Sequence, residues 1–244
     1  MNCSTKARDS LIVALDVNSI SEAESLAKEL SPYTATFKIG FELFLAGGAE
    51  IVRRVTATGA GVFLDLKFHD IPNTIASAAL VAERIGVKMF NVHAMGGTAM
   101  MKRTAAAVQE ASLRHGAKRP LILGVTVLTS MNDADLAEVG VGSPAQDQVK
   151  RLALLCKASG LDGVVCSARE AAMIKGFCGN DFLTVTPGIR SAGEEAQDQK
   201  RTCTAAEAIR AGSDFLVVGR PITKAADPAS AAKAILAEIE AAIS

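Results

Sequence analysis

Apolar positions in this chain come in short blocks separated by longer amphipathic stretches. β-Branched and aliphatic runs occupy residues 10–17 (SLIVALDV), 35–40, 61–68 (GVFLDLKF), 87–94, 121–129, 162–167, 182–188 and 214–220. Each is strand-sized and too continuous to alternate strictly, as expected of strands covered on both faces. Between them lie Ala-rich stretches with helical spacing, such as 19–30 (SISEAESLAKEL), 98–116 and 143–160. Several end in glycine, which suits a helix C-terminus. The pattern predicts eight strands alternating with about eight helices. Alternating units of this kind build a parallel sheet, and eight of them suggest a closed (β/α)8 TIM barrel. A doubly wound open sheet is the competing arrangement, but its Gly-x-Gly-x-x-Gly turn is missing: ALDVNSISEA after the first strand has no glycine. No linker or low-complexity tract interrupts the alternation. The expectation is one barrel domain over residues 1–244, with residues 1–9 a loosely ordered N-terminal extension.

Composition narrows the function classes. The chain has 244 residues, 49% apolar and 21% charged, enough to bury a large single core. Lys plus Arg equals Asp plus Glu at 26 each, so no global field draws nucleic acid or an anionic membrane, and only local basic pockets remain to be sought. The five cysteines (Cys3, Cys156, Cys166, Cys178 and Cys203) are scattered without a CxxC spacing. Reduced thiols in a cytoplasmic protein fit that better than a disulfide framework or a zinc site. The first apolar run meets Asp16 too early for a signal peptide, and no 18-residue apolar run offers a membrane span.

The third strand carries the chemistry. FLDLKFHDIPNT, residues 63–74, places Asp65, Lys67 and Asp70 within an apolar run. Charges resist leaving water unless paired, so they form either a structural ion-pair cluster or an active site. Strand alternation puts Asp65 and Lys67 on one face and Leu64 and Leu66 on the other. If the leucines pack under the helices, the charges point into the barrel mouth. Asp16 at the end of strand 1 and Lys38 near the end of strand 2 converge there too, at the C-terminal face where such barrels hold their sites.

A second constellation follows strands 7 and 8, in TPGIR (186–190) and VVGRPIT (217–223). Loops in these positions commonly bind phosphate in this fold. Gly188 and Gly219 allow close backbone approach, Pro221 suits a first helical turn, and Arg190 and Arg220 offer forked donors. The long polar segment 191–202 is a lid candidate; the plainer alternative is a solvated surface loop.

With these motifs in place, the chain resembles the orotidine 5′-phosphate decarboxylases of bacteria. DLKFHDIPNT has their Asp-x-Lys-x-x-Asp-Ile-Pro-x-Thr signature, and LDV, FKIG, VTVLTS, DGVVCS, VTPGIR and VVGRPIT follow the family's order from about residue 11 to about residue 240. The resemblance implies conversion of orotidine 5′-monophosphate to UMP and CO2 in pyrimidine biosynthesis, with no metal or organic cofactor. It implies Lys67 as proton donor to pyrimidine C6, with Lys38, Asp65 and Asp70 completing a charged network. It further implies a homodimer in which Asp70, Ile71 and Thr74 reach the neighbouring protomer's site. Asp16 and Lys38 would contact the ribose, Thr129 or its neighbour Ser130 the pyrimidine, and Pro187, Arg190, Gln199, Gly219 and Arg220 would complete the substrate site around the phosphate.

Two alternatives stay open. Related phosphate-binding barrels include metal-dependent sugar-phosphate epimerases and decarboxylases, and that reading would recruit Asp16, Asp65 and His93. Lys38 and Lys67 would repel the dication, and a lone histidine such as His93 is otherwise a hydrogen-bonded core residue. The other alternative is a catalytically silent barrel that binds a nucleotide. His69 lies inside the signature, while His115, at a helix end, reads as a dipole partner or a solvated side chain.

Overall fold

A computed structural model describes residues 4–190 and 203–243. Eight strands, β1 (Leu11–Ala14), β2 (Thr36–Ile39), β3 (Gly61–Phe68), β4 (Met89–His93), β5 (Leu121–Val125), β6 (Gly163–Val165), β7 (Leu183–Thr186) and β8 (Phe215–Val218), pair in chain order. Every pairing is parallel, and β8 returns to β1 to close the barrel. The fold is the TIM barrel that the alternation predicts.

Eleven helices accompany the strands among the described residues: α1 (Thr5–Ser10), α2 (Ile20–Leu30), α3 (Phe41–Thr56), α4 (Pro72–Arg84), α5 (Gly97–His115), α6 (Asp133–Glu138), α7 (Ala145–Ala158), α8 (Ala168–Cys178), α9 (Ala205–Arg210), α10 (Arg220–Thr223) and α11 (Pro228–Ile243). Local chemistry sets several starts. The Ser19 hydroxyl accepts from the Glu22 N–H at the head of α2, and Ser167 with Glu170 and Thr204 with Glu207 form reciprocal capping boxes on α8 and α9.

Strand alternation divides the core in two. Ile12, Phe63, Met89, Leu123, Val185 and Val217 fill the barrel interior. Val13, Phe37, Leu64, Phe90, Val92 and Val218 face outward and pack with the buried stripes of the helices. This double coverage explains the continuous apolar runs.

The structure departs from the sequence expectation in two places. β1 and β5 stop short of their apolar runs at the C-terminal ends: after the N–H groups of Leu15 and Thr126 donate to the Lys38 and Val165 carbonyls, residues 16–17 and 127–129 continue into the barrel mouth outside the strands. Residues 4–9 are also not a loose extension. Ser4 caps α1, Ala7 is fully buried, and the Ser4 N–H donates to Glu240 of α11. A six-residue polar helix with one buried alanine has too little periodicity to be read from sequence. Residues 1–3 of that extension lie outside the described residues.

Candidate active site

Four charged side chains form a row across the mouth. The Lys38 ammonium donates to Asp16 Oδ1 at 2.9 Å and stands 3.5 Å from Asp65 Oδ2, while Lys67 Nζ donates to Asp65 Oδ1 at 2.7 Å. Signs alternate along Asp16, Lys38, Asp65 and Lys67, so each inner charge has an opposite neighbour on both sides. Burial opposes the charge of Lys38, but Asp65 and Asp16 outweigh it and hold the ammonium above its usual pKa. Burial likewise opposes ionisation of Asp65, and Lys38 and Lys67 overcome it to hold the carboxyl below its usual range. Lys38 and Asp65, at the centre of the row, are therefore both held in their charged forms at neutral pH, each by the opposite charges beside it.

The backbone of β3 is irregular where the row is densest. Leu64 pairs with Phe90 of β4, yet Phe68 pairs with Val92, so residues 65–67 stand against Asn91 alone. Lys67 has φ 42°, the one positive φ outside glycine among the described residues. Such a conformation costs roughly 1–3 kcal/mol and persists only where its surroundings hold it. Lys67 thus enters the mouth through a bulge rather than by strict alternation. Asn91, fully buried, accepts from the Lys67 N–H and donates to Asp65 Oδ1, both at 2.7 Å. The sequence reading passed over Asn91. The one available signal was a polar residue of interior parity in MFNVH.

The row borders a cavity of about 440 Å³ whose other walls include Thr129, Pro187, Gly188, Arg190, Gly219 and Arg220. Gly188 has φ 86°, which L side chains rarely adopt. At Gly219, just after β8, a Cβ would come within 3.2 Å of Asp16 Oδ2, a tight contact that glycine avoids where the chain passes close to the row. Gly219 leads into α10, whose first turn carries Pro221. Lys224 also lines this cavity, a residue the sequence reading missed because it lies beyond the motif. Thr129 reaches the wall; Ser130, exposed, is not among the described lining residues. The Arg190 N–H donates to the Cys203 carbonyl, and Ile189 bridges Cys203, so the residues on either side of segment 191–202 meet beside the cavity. That segment, proposed from sequence as a lid and containing Gln199, lies outside the described residues.

A larger hollow of about 720 Å³ opens at the N-terminal ends of β1, β7 and β8, but its Lys175 is already engaged by Asp214 at 2.6 Å and by two backbone carbonyls. It shares no residue with the charged row at the mouth.

Asp70, Ile71 and Thr74 do not join the row. All three are exposed, and Asp70 accepts from the N–H of Ile71. His69 and His93 stack, with ring centroids 5.2 Å apart, and His93 Nδ1 accepts from the Met95 N–H. Burial, then His69 and Lys67, lowers the His93 pKa. Among the described residues no group of three or more His, Cys, Asp or Glu side chains is arranged to hold a metal, so Asp16, Asp65 and His93 do not form the donor set of the metal reading. His115 is exposed in the last turn of α5, as the sequence reading expects, and its Nδ1 also lies 3.1 Å from Oε1 of buried Glu83, which gives that carboxylate a partner on α5. Cys156, Cys166, Cys178 and Cys203 are free thiols, and burial pushes Cys156 up to about 12 and Cys203 up to about 11.

Fold and site together define a (β/α)8 barrel with a charged mouth at the C-terminal ends of its strands, the face on which enzymes of this fold hold their active sites. The chain belongs to the orotidine 5′-phosphate decarboxylase / HUMPS family, whose model matches residues 9–235. The orotidine 5′-phosphate decarboxylase of Moorella thermoacetica is 52% identical over 235 residues, 96% of this chain and 93% of that protein. That of Syntrophotalea carbinolica is 52% identical over 238 residues, 98% of each chain. Among crystal structures, orotidine 5′-phosphate decarboxylase from Lactobacillus acidophilus superposes with a TM-score of 0.83 at 38% identity, covering 95% of this chain and 99% of that one.

Proposed function

We propose that this chain converts orotidine 5′-monophosphate to UMP and CO2, in pyrimidine biosynthesis, with its own charged side chains as the only catalytic groups. The observation that carries the reading is the ion-paired row of Asp16, Lys38, Asp65 and Lys67, at the mouth of a barrel of this family.

In the proposed reaction the C6–carboxylate bond breaks and its electron pair stays on C6. That orbital is not conjugated with the ring, so fixed positive charge must stabilise it. Lys67 supplies the ammonium and then transfers its proton to C6. Asp65 crowds the departing carboxylate and, with Lys38, keeps Lys67 aligned. Asp16 and Lys38 meet the ribose hydroxyls and Thr129 the pyrimidine. Arg190, Gly219 and Arg220, with Pro187 in the same loops and Gln199 from segment 191–202, surround the phosphate. Binding energy gathered at the phosphate then helps to hold the reacting ring in place.

We infer further that the enzyme is a cytoplasmic homodimer in which Asp70, Ile71 and Thr74 act at the neighbouring site. What supports this is a set of apolar side chains on consecutive loops at the mouth: Phe41 after β2, Ile71 after β3 and Met95 after β4 are 54%, 67% and 46% exposed. A second copy would cover them. No helix among the described residues is long and apolar enough to cross a membrane.

The test is to follow loss of orotate absorbance and CO2 release from orotidine 5′-monophosphate in the presence of a chelator. Turnover is expected. Activity that vanishes with chelator and returns with a divalent metal would move the chain to a metal-dependent reaction, and nucleotide binding without turnover to the silent alternative.

A further inference from the structure

The geometry points to Asn91 as the positioning residue that holds the Asp65–Lys67 pair in its working arrangement, a conclusion that rests on the reading of Lys67 as the proton donor. Across the bulge, β3 presents residues 65–67 to a single residue of β4, so the regular ladder cannot satisfy that stretch of backbone. The Asn91 side chain takes its place. Its Oδ1 accepts from the Lys67 N–H, and its Nδ2 donates to Asp65 Oδ1. The amide orientation is not ambiguous: a backbone N–H can only donate, and an ionised carboxylate can only accept.

One rigid amide therefore ties the backbone of one partner to the carboxylate of the other. The same Oδ1 of Asp65 receives both the Asn91 amide and the Lys67 ammonium, each at 2.7 Å. Asn91 is fully buried on the barrel interior, between Met89 below and His93 above, and has little room to adopt another rotamer. A left-handed lysine relaxes when its backbone anchor is removed, and its ammonium then swings away from C6. Displacements of about 1 Å at a reacting centre cost on the order of a hundredfold in rate.

Asn91→Ala removes both hydrogen bonds. Asn91→Asp keeps the volume and the acceptor for the Lys67 N–H but sets a second carboxylate against Asp65. In both, kcat should fall about a hundredfold or more, while UMP affinity, carried largely by the phosphate loops after β7 and β8, which Asn91 does not touch, stays within about threefold. In parallel, the rate at which an amine-directed reagent labels Lys67, read by mass spectrometry, should rise in Asn91→Ala. Lys67 is 31% exposed and therefore open to the reagent in the native chain. Native-like kcat in both variants, unchanged Lys67 labelling, or UMP affinity falling in step with kcat would overturn the proposal. Should the native chain itself not turn over orotidine 5′-monophosphate, the decarboxylase reading fails, and the labelling comparison still decides whether Asn91 positions Lys67.

Discussion

Lys38 and Asp65 face each other across β2 and β3 at 3.5 Å, with side chains only 12% and 14% exposed. Their titration shifts oppose each other in direction and act together on stability. Asp65 is held below its ordinary pKa of 3.8, so the unfolded chain takes up that proton first on acidification. Its contribution is present above about pH 4 and is lost as pH falls through the folded value. Lys38 is held above its ordinary 10.5, so its contribution is complete below that pH and is lost as pH rises through the folded value. Between these limits the pair adds no pH dependence. Lys38→Met leaves Asp65 with Lys67 alone and should cost about 3 kcal/mol. Lys38→Met combined with Asp65→Leu should cost less than the two single changes together, as read from urea unfolding at neutral pH.

His93 behaves differently. Burial, with His69 and Lys67 nearby, lowers its pKa from 6.5, so the folded chain binds this proton less readily than the unfolded chain. Stability should therefore decline as pH falls from about 6.5 toward the folded pKa. His93→Asn should flatten that part of the curve, and urea midpoints collected across the range would reveal whether it does.

Lys67→Ala should abolish nearly all turnover while leaving UMP binding measurable, because the phosphate loops lie on β7 and β8 rather than β3. Single-turnover kinetics beside UMP titration separates the two effects. A near-normal rate would remove Lys67 from the role of proton donor.

Arg220→Ala should lower kcat/KM through weaker phosphate recognition, by about 2 kcal/mol or more for a charge-assisted contact. Inorganic phosphate should compete with substrate in the native chain and lose that ability in the variant. An unchanged kcat/KM would contradict the placing of the phosphate.

Asp70 offers a test of the dimer. Lys67→Ala and Asp70→Ala chains, each inactive alone, should regain activity when mixed under conditions of subunit exchange. Hybrid dimers would contain one site with both residues intact and one with neither. Failure of mixing to restore activity, with exchange verified by mass, would confine Asp70 to its own protomer.

Much of this architecture is written in local patterns. Eight apolar runs alternating with amphipathic stretches require a parallel sheet covered by helices, because no other arrangement buries both faces of every strand. Charges at the ends of the first three strands, and glycine–arginine loops after the last two, follow from the same alternation and from the C-terminal mouth it creates. Tertiary structure decided the rest. The register of β3 against β4 produces the bulge at residues 65–67, the left-handed Lys67 and the engagement of Asn91. Packing of α4 against α5 pairs His115 with Glu83, and the path of the chain beyond β5 aims Thr129, rather than Ser130, at the cavity. A two-residue period assigns faces only while a strand stays regular, and what a bulge does depends on the partner strand, which lies far away in the chain.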